Sequence, residues 1–259
     1  MKNSKLDTEI RMYKTSLERS TLRPVDQETE WKKNKDHVFT FIENIEGNLE
    51  GKFCLEVGCG HEGFTSYFAS KGAILIEGDL IIDSLYTLKS SVSGGTEAVC
   101  LDAMHLPFKE NAFDIVFCVG LVHHLDPIDT ALREMIRCLK KSGLICLVEP
   151  NRSYIPVVLM WILPRGLVNT IRRKLIPRIL RWYTKSADYE RPLFAKEVER
   201  SLRKTGINDC QSVFDSGPLP YLPVPIRKVQ SLLGKLIDKL GLPFSNWFSW
   251  QFITIGRKP

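Results

Sequence analysis

The sequence predicts an α/β protein built on a doubly wound, mostly parallel β-sheet. Short apolar runs alternate with helical stretches after Gly51, which is typical of parallel strands joined by helices that cover both faces of a sheet. Glycines directly follow the first apolar run, and acidic residues stand at the ends of several runs. Ligands of doubly wound sheets bind beyond the carboxyl ends of the strands, so these residues mark a candidate binding site.

The N-terminal part of the chain has a helical pattern of apolar residues. Two groups of apolar residues recur at helical spacing in a polar background, and each group predicts a helix. The groups are Leu6, Ile10, Tyr13 and Leu17, followed by Trp31, Val38, Phe41, Ile42 and Ile45. We therefore expect an N-terminal helical cap over residues 1–50.

The core that carries the glycines is predicted over residues 51–150. Its predicted strands are Phe53–Val57, Ile74–Glu77, Ala98–Leu101, Phe113–Val119 and Leu144–Val148. The helix after the fourth strand is expected to begin with Asp126 as its cap and Pro127 at its first position. Lys141, Ser142 and Gly143 are expected to end that helix.

The alternation stops between residues 151 and 192, which we expect to form a basic amphipathic cap inserted after the fifth strand. Residues 193–259 are expected to complete the core sheet. Their predicted elements are a helix at Ala195–Lys204, a strand at Ile207–Phe214, a basic amphipathic helix at Val229–Leu240 and a strand at Trp247–Ile255.

Composition limits the class of protein. A chain of 259 residues with 44% hydrophobic side chains can bury a substantial core. Of the net charge of +6, eight Lys or Arg residues lie between Asn151 and Ser186 with no acid among them, so the remainder carries −2. The seven cysteines are odd in number and include no Cys-x-x-Cys pair, which favours buried, reduced thiols over disulfides or a metal site. Reduced thiols favour a cytoplasmic protein, with peripheral contact at a membrane as a further expectation, and the N-terminus lacks the apolar stretch of a signal peptide.

The glycine loop fits two kinds of ligand. Gly58, Gly60 and Gly63 satisfy the Gly-x-Gly-x-x-Gly spacing of dinucleotide sites, which would suit an NAD-dependent dehydrogenase. However, four carboxylates stand at or near the strand ends: Glu56, Glu62, Asp79 and Asp102. A pyrophosphate binds a helix start without competing acids. Clustered carboxylates instead suit S-adenosylmethionine, which has a sulfonium, an ammonium and a ribose diol.

Several motifs follow one another in a consistent order. They are Leu55-Glu56-Val57-Gly58-Cys59-Gly60, Gly78-Asp79-Leu80, Leu101-Asp102-Ala103, Leu106-Pro107-Phe108, Phe113-Asp114-Ile115-Val116, His123-His124-Leu125, Leu139-Lys140-Lys141-Ser142-Gly143 and Glu149-Pro150-Asn151. With these motifs, roughly Trp31 to Lys258 resembles the class I S-adenosylmethionine-dependent methyltransferases of the small-molecule and lipid-modifying type. The resemblance implies a seven-stranded Rossmann-like sheet whose last strand lies antiparallel between the fifth and sixth. The chain departs from the family pattern at Ser142, where a second glycine is common, and at Phe194, where a capping Thr or Ser is common.

The resemblance also implies how the cofactor is held. The implied contact residues are Glu56, Gly58, Cys59, Gly60, Asp79, Leu80, Asp102, Ala103 and Val119. Asp79 would accept both ribose hydroxyls and Asp102 the adenine amino group, while the glycines let the backbone pass close to the cofactor. Glu56 would either hold the cofactor's ammonium group or pin the glycine loop by hydrogen bonds, and both alternatives stay open.

Candidate catalytic residues follow the fourth and fifth strands. His123, His124 and Glu149 could take a proton from an acceptor hydroxyl or amine. The alternative is that the histidines only pack and hydrogen-bond at the rim of the sheet. No metal ion is expected in this chemistry, and a non-catalytic cofactor-binding subunit is the remaining alternative.

The basic segment suggests a partner. Residues 155–182 combine apolar side chains, six basic residues from Arg165 to Arg181, and Trp182. Such a segment suits an anionic membrane surface or a lipid-like acceptor, and an ordinary cap helix fits the same pattern. An RNA methyltransferase that uses residues 165–181 as a phosphate track is the alternative function. The absence of an Asn/Asp-Pro-Pro-aromatic tetrad after the fourth strand argues against amino-directed nucleic-acid enzymes.

Overall fold

The computed structural model describes residues 25–61, 63–91, 97–154, 192–215 and 249–259, together with single positions between 229 and 247. In these residues the strands are β1 (Phe53–Val57), β2 (Ile74–Asp79), β3 (Glu97–Cys100), β4 (Phe113–Val119), β5 (Leu139–Pro150), β6 (Cys210–Asp215) and β7 (Gln251–Arg257). They form one seven-stranded sheet with the order β3-β2-β1-β4-β5-β7-β6. Strand β7 pairs antiparallel with both β5 and β6, whereas β1 to β5 pair in parallel. The predicted α/β class and the antiparallel last strand are confirmed.

Helices cover both faces of the sheet. The described helices are α1 (Val25–Glu46), α2 (Thr65–Ala69), α3 (Ile82–Ser91), α4 (Ile128–Cys138) and α5 (Ala195–Lys204), with a 3-10 turn at Val122–His124. Val38 and Ile42 of α1 belong to the core on one face, and Met135 of α4 and Leu202 of α5 belong to the core on the other. Because both faces are covered, the strands are nearly continuous apolar runs, as parallel strands usually are. None of the described helices is both long and apolar enough to cross a bilayer.

Some predicted segments lie outside the described residues. These are the helix predicted at Leu6–Leu17, the basic insertion from residue 155 to 191 and most of the helix predicted at Val229–Leu240. The domain boundaries proposed from the sequence therefore stay predictions.

Element boundaries agree best where an apolar run has polar limits. Strands β1 and β4 and helix α5 have the predicted bounds. Helix α4, however, begins at Ile128 with Pro127 as its N-cap, so the prediction of Asp126 as the cap was wrong. Strand β5 begins at Leu139, which pairs with Phe113, so the prediction that residues 141–143 end the helix was also wrong.

The remaining strand differences are shifts at the ends. Strand β2 continues to Asp79, β3 spans Glu97–Cys100, β6 begins at Cys210, and β7 begins at Gln251. These ends depend on pairing with a neighbouring strand, which a single run of sequence does not reveal.

The seven cysteines are free thiols. Six are buried, as predicted, but Cys100 is exposed at the end of β3, so the prediction of its burial was wrong. Burial raises the pKa of Cys54 and Cys146 to about 12, so both thiols stay protonated at neutral pH.

The two ends of the segment at residues 155–191 lie side by side. Asn151 forms a parallel bridge with Leu193, and the Arg152 N–H donates to the Leu193 carbonyl at 3.0 Å. The buried Asn151 side chain also donates to the Ser249 carbonyl at 2.8 Å. The described residues on either side of positions 155–191 are therefore paired with each other.

Candidate active site

The candidate site lies at the carboxyl edge of the sheet. Strands β1 to β5 are parallel, so their carboxyl ends share one edge. The strand order turns back between β1 and β4, which is the switch point where doubly wound sheets bind ligands. The structure places the following sequence-predicted residues at or just beyond these strand ends: Glu56, Gly58, Cys59, Gly60, Asp79, Leu80, Asp102, Ala103, Val119, His123, His124 and Glu149.

The glycine loop after β1 requires glycine for two reasons. Gly58, Gly60 and Gly63 have φ values of 77°, 63° and 47°, which side chains with a β-carbon rarely adopt. A β-carbon on Gly58 would also lie 2.9 Å from Leu121 Cδ1 in the loop after β4. The N–H groups of Gly58 and Cys59 donate to the Gly78 carbonyl at 2.7 and 3.1 Å, which ties the loop to β2.

Asp79, the last residue of β2, organises the same loop. One carboxylate oxygen accepts the Gly60 N–H at 2.9 Å, and the other accepts the Ile81 N–H at 2.8 Å. Burial raises the pKa of Asp79, and these N–H groups oppose that rise. Each carboxylate oxygen can accept a second hydrogen bond, so Asp79 can also receive a diol.

Glu56 has the chemistry of an incomplete ion pair. Its side chain is 2% exposed, and Glu56 Oε2 has no hydrogen-bond partner. Burial, and then the nearby Glu77 carboxylate, raise the pKa of Glu56 well above its ordinary value. Because a buried carboxylate oxygen without a hydrogen-bond donor is costly, a cationic ligand group next to Oε2 would stabilise the charged form. The residues present therefore fit a ligand with an ammonium group.

Glu77 has a role that the sequence reasoning missed. Glu77 Oε1 accepts the N–H groups of Phe64 and Thr65 at 2.7 and 2.9 Å, so Glu77 caps the start of α2. Acidic groups are favourable at a helix N-terminus. The sequence reasoning had placed Glu62 at this helix entrance, but Glu62 lies outside the described residues. The sequence did carry a sign of this role, because Glu77 stands two residues before Asp79 and so lies on the same face of one strand.

Several candidate residues around the ends of β3 and β4 are more exposed to solvent than Glu56 and Asp79. Asp102 is exposed, and its Oδ1 accepts the Met104 N–H at 2.8 Å in a local turn. Ala103 is buried beside it, and Val119 at the end of β4 is half-buried. Leu80 is 43% exposed, so an apolar surface is available next to Asp79.

Glu149 joins the loop after β4 to the end of β5. Glu149 Oε1 accepts the N–H groups of Leu121 and Val122 at 3.1 and 2.7 Å. Glu149 Oε2 lies 2.6 Å from Nδ1 of His123, and both side chains are buried. The His124 ring lies 4.0 Å from the His123 ring and is half-buried. The three predicted catalytic residues are thus brought together in one cluster.

Comparison with known proteins agrees with this geometry. Residues 55–147 match the family model described as a methyltransferase domain. A fatty-acid O-methyltransferase of Mycolicibacterium smegmatis is 34% identical over 112 residues, which cover 42% of this chain and 41% of that protein. A ubiquinone biosynthesis O-methyltransferase of Pseudomonas fluorescens is 29% identical over 132 residues, covering 46% and 56%. The chain spans about half the length of the curated relatives it matches.

A solved structure extends the likeness in fold. A SAM-dependent methyltransferase from Archaeoglobus fulgidus superposes with a TM-score of 0.58 at 16% identity, covering 86% of this chain and 94% of that one. At this identity the likeness shows the fold alone.

The fold and its carboxyl edge together define a Rossmann-like α/β protein with a candidate ligand site at the switch point of the sheet. More particularly, residues 55–147 match a methyltransferase domain, and the fold is that of a solved SAM-dependent methyltransferase.

Proposed function

We propose that this protein transfers a methyl group from S-adenosylmethionine to a small or lipid-like acceptor. The observation that carries the proposal is the buried Glu56 carboxylate, whose Oε2 has no hydrogen-bond partner, beside the glycine loop and one strand away from Asp79. Glu56 would hold the ammonium group of the cofactor, Asp79 its ribose diol, and Asp102 with Ala103 its adenine. The glycines at 58 and 60 leave room for the ligand next to the backbone.

The cofactor supplies an electrophilic methyl group that an acceptor nucleophile attacks in line. The chain's own contribution is mainly to position both groups and to exclude water. Glu149 fixes the loop after β4 and orients the His123 ring through Nδ1. His124, the less buried of the two histidines, is the proposed base for an acceptor that must lose a proton.

An exposed apolar surface supports a lipid-like acceptor. The large apolar side chains exposed in the C-terminal part of the chain are Val229, Leu232, Leu233, Leu236, Leu240 and Trp247. The first five are spaced as on one helix face, and the Leu232 side chain is 70% exposed. Four basic residues and one acid occur between positions 227 and 240 of the sequence. Apolar groups flanked by basic ones suit an anionic membrane surface, and we propose peripheral contact there.

Vesicle flotation tests the membrane contact. We expect the protein to float with vesicles that contain anionic lipid and not with neutral ones. A double change of Leu232 and Leu236 to Ser should reduce flotation severalfold, whereas Val213→Ser, at an exposed valine of β6, should not. The Arg172→Glu, Arg173→Glu and Lys174→Glu changes test the contribution of the basic insertion. No flotation of the unmodified protein on anionic vesicles would contradict the membrane contact.

An RNA acceptor is the alternative function. It depends on the basic residues at 165–181, which lie outside the described residues. Incubation with labelled S-adenosylmethionine and separate lipid, small-molecule and RNA fractions of the host distinguishes the two acceptor classes. Label found only in RNA would overturn the proposal of a small or lipid-like acceptor.

Calorimetry tests the donor. We expect binding of S-adenosylmethionine in the micromolar range and no binding of NAD. Asp79→Ala should abolish the binding because it removes the proposed diol acceptor, while Asp83→Ala, at an exposed acid of α3, should leave the affinity within about threefold. Thermal unfolding of both variants confirms that they are folded. Binding of NAD in place of S-adenosylmethionine would contradict the proposal.

A further inference from the structure

A row of acids lies on one face of the sheet at the candidate site. Glu56 of β1 and Glu77 of β2 are register partners on adjacent parallel strands, so their side chains point to the same face. Asp79 follows Glu77 by two residues and shares that face. All three residues are buried. Negative groups buried this close together are costly unless a positive charge balances them.

Lys35 brings a positive charge to this row from the N-terminal helix. Lys35 Nζ donates to the Gly63 carbonyl at 3.0 Å and lies 5.7 Å from the centre of the Phe64 ring. A β-carbon on Gly63 would lie 2.0 Å from Glu77 Oε1, and the Phe64 N–H donates to that same oxygen. The ammonium group of Lys35 therefore sits on the backbone that the acids also contact.

The charges around Glu56 oppose one another. Burial and then Glu77 raise the pKa of Glu56, Lys35 lowers it, and Asp79 raises it. The other titratable neighbours are the thiols of Cys59 and Cys118, and burial raises the pKa of both, so they are neutral in the physiological range. Two groups favour the charged form of Glu56 against its carboxylate neighbours: the Lys35 ammonium, which has the larger effect, and the Phe64 N–H.

We propose that Lys35 is a positioning residue of the cofactor site, whose ammonium group balances the buried acids and sets the charge state in which Glu56 meets the cofactor. This inference rests on the proposed function, since it assigns a control to the same site. It also gives α1 a role in the chemistry, because this helix carries the balancing charge.

The inference predicts proton-coupled binding. A protonated Glu56 must release its proton before it can pair with an ammonium group, so affinity should rise with pH through the pKa of Glu56. Removal of Lys35 should raise that pKa further and shift the whole profile to higher pH. Proton release on binding is measured by calorimetry in buffers that differ in ionisation enthalpy.

The cofactor experiment compares four proteins over the range from about pH 6 to pH 9. Relative to the unmodified protein, Lys35→Met should raise the Kd for S-adenosylmethionine most at the acidic end of this range and least at the alkaline end, by up to about tenfold for each pKa unit by which the pKa of Glu56 rises. Lys35→Arg keeps the positive charge and should retain the pH profile of the unmodified protein. Lys71→Met is the matched control. It removes an ion pair with Glu43, which lies on α1 as Lys35 does, and it should not shift the pH profile. Tighter binding by Lys35→Met, or an equal loss at every pH, would overturn the inference.

A second experiment needs no cofactor. Because the folded-state pKa of Glu56 is raised, its stabilising effect is complete below the ordinary glutamate pKa and declines as pH rises toward the folded-state value. Lys35→Met should therefore cost more unfolding free energy above the folded-state pKa of Glu56 than below it, and Glu56→Gln should shrink this pH-dependent difference at least about twofold. A difference that persists unchanged in the Glu56→Gln background would refute the charge coupling.

The two experiments separate the two hypotheses. Absence of S-adenosylmethionine binding in every protein, with the stability cycle as expected, rejects the proposed function and keeps the Lys35–Glu56 coupling. Normal binding with no pH-dependent effect of Lys35 in either experiment rejects the inference and keeps the function.

Discussion

At the scale of single residues, Glu149 shows how one buried carboxylate can hold a loop. Its two oxygens accept backbone N–H groups after β4 and contact Nδ1 of His123. A carboxylate engaged in this way is poorly suited to take a proton from an acceptor. We therefore assign Glu149 to positioning and His124 to proton transfer within the proposed mechanism.

We predict that Glu149→Gln mainly lowers the stability of the protein, whereas His124→Ala mainly lowers the rate of methyl transfer. Glu149→Gln replaces an acceptor by an amide donor, so the unfolding free energy should fall by about 1–3 kcal/mol. His124→Ala should change stability less and slow methyl transfer at pH 7 by about 100-fold if proton removal is required. Urea unfolding and single-turnover transfer with labelled cofactor measure the two effects. Full turnover by His124→Ala would exclude His124 as the base.

The residue types at the site could be predicted from the sequence, but their partners could not. Acids after apolar runs predicted the positions of Glu56, Asp79 and Glu149. The pairing of Glu149 with His123 joins residues that are 26 positions apart, and the contact of Lys35 with Gly63 spans 28 positions. Periodicity carries no information about such contacts, because they depend on how the elements pack.

At the scale of elements, α2 depends on the close approach of a strand side chain to the glycine loop. Glu77 reaches the first N–H groups of α2 only because Gly63 has no β-carbon in the way. The same residue carries the carbonyl that Lys35 binds. Loop, strand and helix α1 therefore meet at one glycine.

We predict that Gly63→Ala destabilises the protein by more than about 2 kcal/mol, because both the positive φ and the clash with Glu77 oppose a side chain. Gly47→Ala is the matched control, since Gly47 also has a positive φ but no atom within 4 Å of the added carbon. The control should cost only about 1 kcal/mol. Equal losses of unfolding free energy in the two variants would show that the contact with Glu77 contributes nothing.

Strand β5 shows a second element-scale effect. Ser142 has a φ of 60°, in the region that favours glycine, which explains why its position in the family pattern is commonly a glycine. The sequence predicted that Lys141, Ser142 and Gly143 end the preceding helix here. Pairing of Leu139 with Phe113, followed by a register shift, extends the strand instead.

Ser142→Gly should therefore stabilise the protein by about 0.5–1 kcal/mol, since relief of the left-handed conformation exceeds the entropy cost of glycine. Gly143→Ala provides the contrast, because its β-carbon would lie 2.9 Å from the Asp114 carbonyl oxygen and should destabilise. Urea midpoints of the two variants should shift in opposite directions. A destabilised Ser142→Gly would contradict this interpretation of β5.

At the scale of the whole molecule, the proposed binding of the methyl donor and the proposed contact with the acceptor belong to different parts of the chain. Its core, with β1 to β5, carries the proposed donor site at the carboxyl edge. The fold class and the antiparallel last strand between the fifth and sixth could be predicted because several motifs follow one another in the order of a known family. The acceptor could not, since the insertion that is expected to contact it has no repeating pattern.

We predict that residues 156–190 can be replaced by a flexible linker of about six residues without unfolding the core, because the flanking residues already pair at Asn151 and Leu193. Affinity for S-adenosylmethionine should stay within about threefold, while methylation of the acceptor should be lost. Adding Asn151→Ala should lower the unfolding free energy by about 1–3 kcal/mol, because the Ser249 carbonyl loses its donor. Unfolding of the shortened protein with Asn151 intact would contradict the prediction.

The side-by-side ends at Asn151 and Leu193 also bear on how such a protein can evolve. No described strand pairing uses a residue of positions 155–191, so we expect insertions, deletions or exchange of this segment to spare the described sheet. On the proposed division of labour, natural selection then acts on acceptor choice and on methyl-donor recognition separately. Descendants of one ancestor can thus diverge widely in what they modify while their grip on the donor is inherited unchanged.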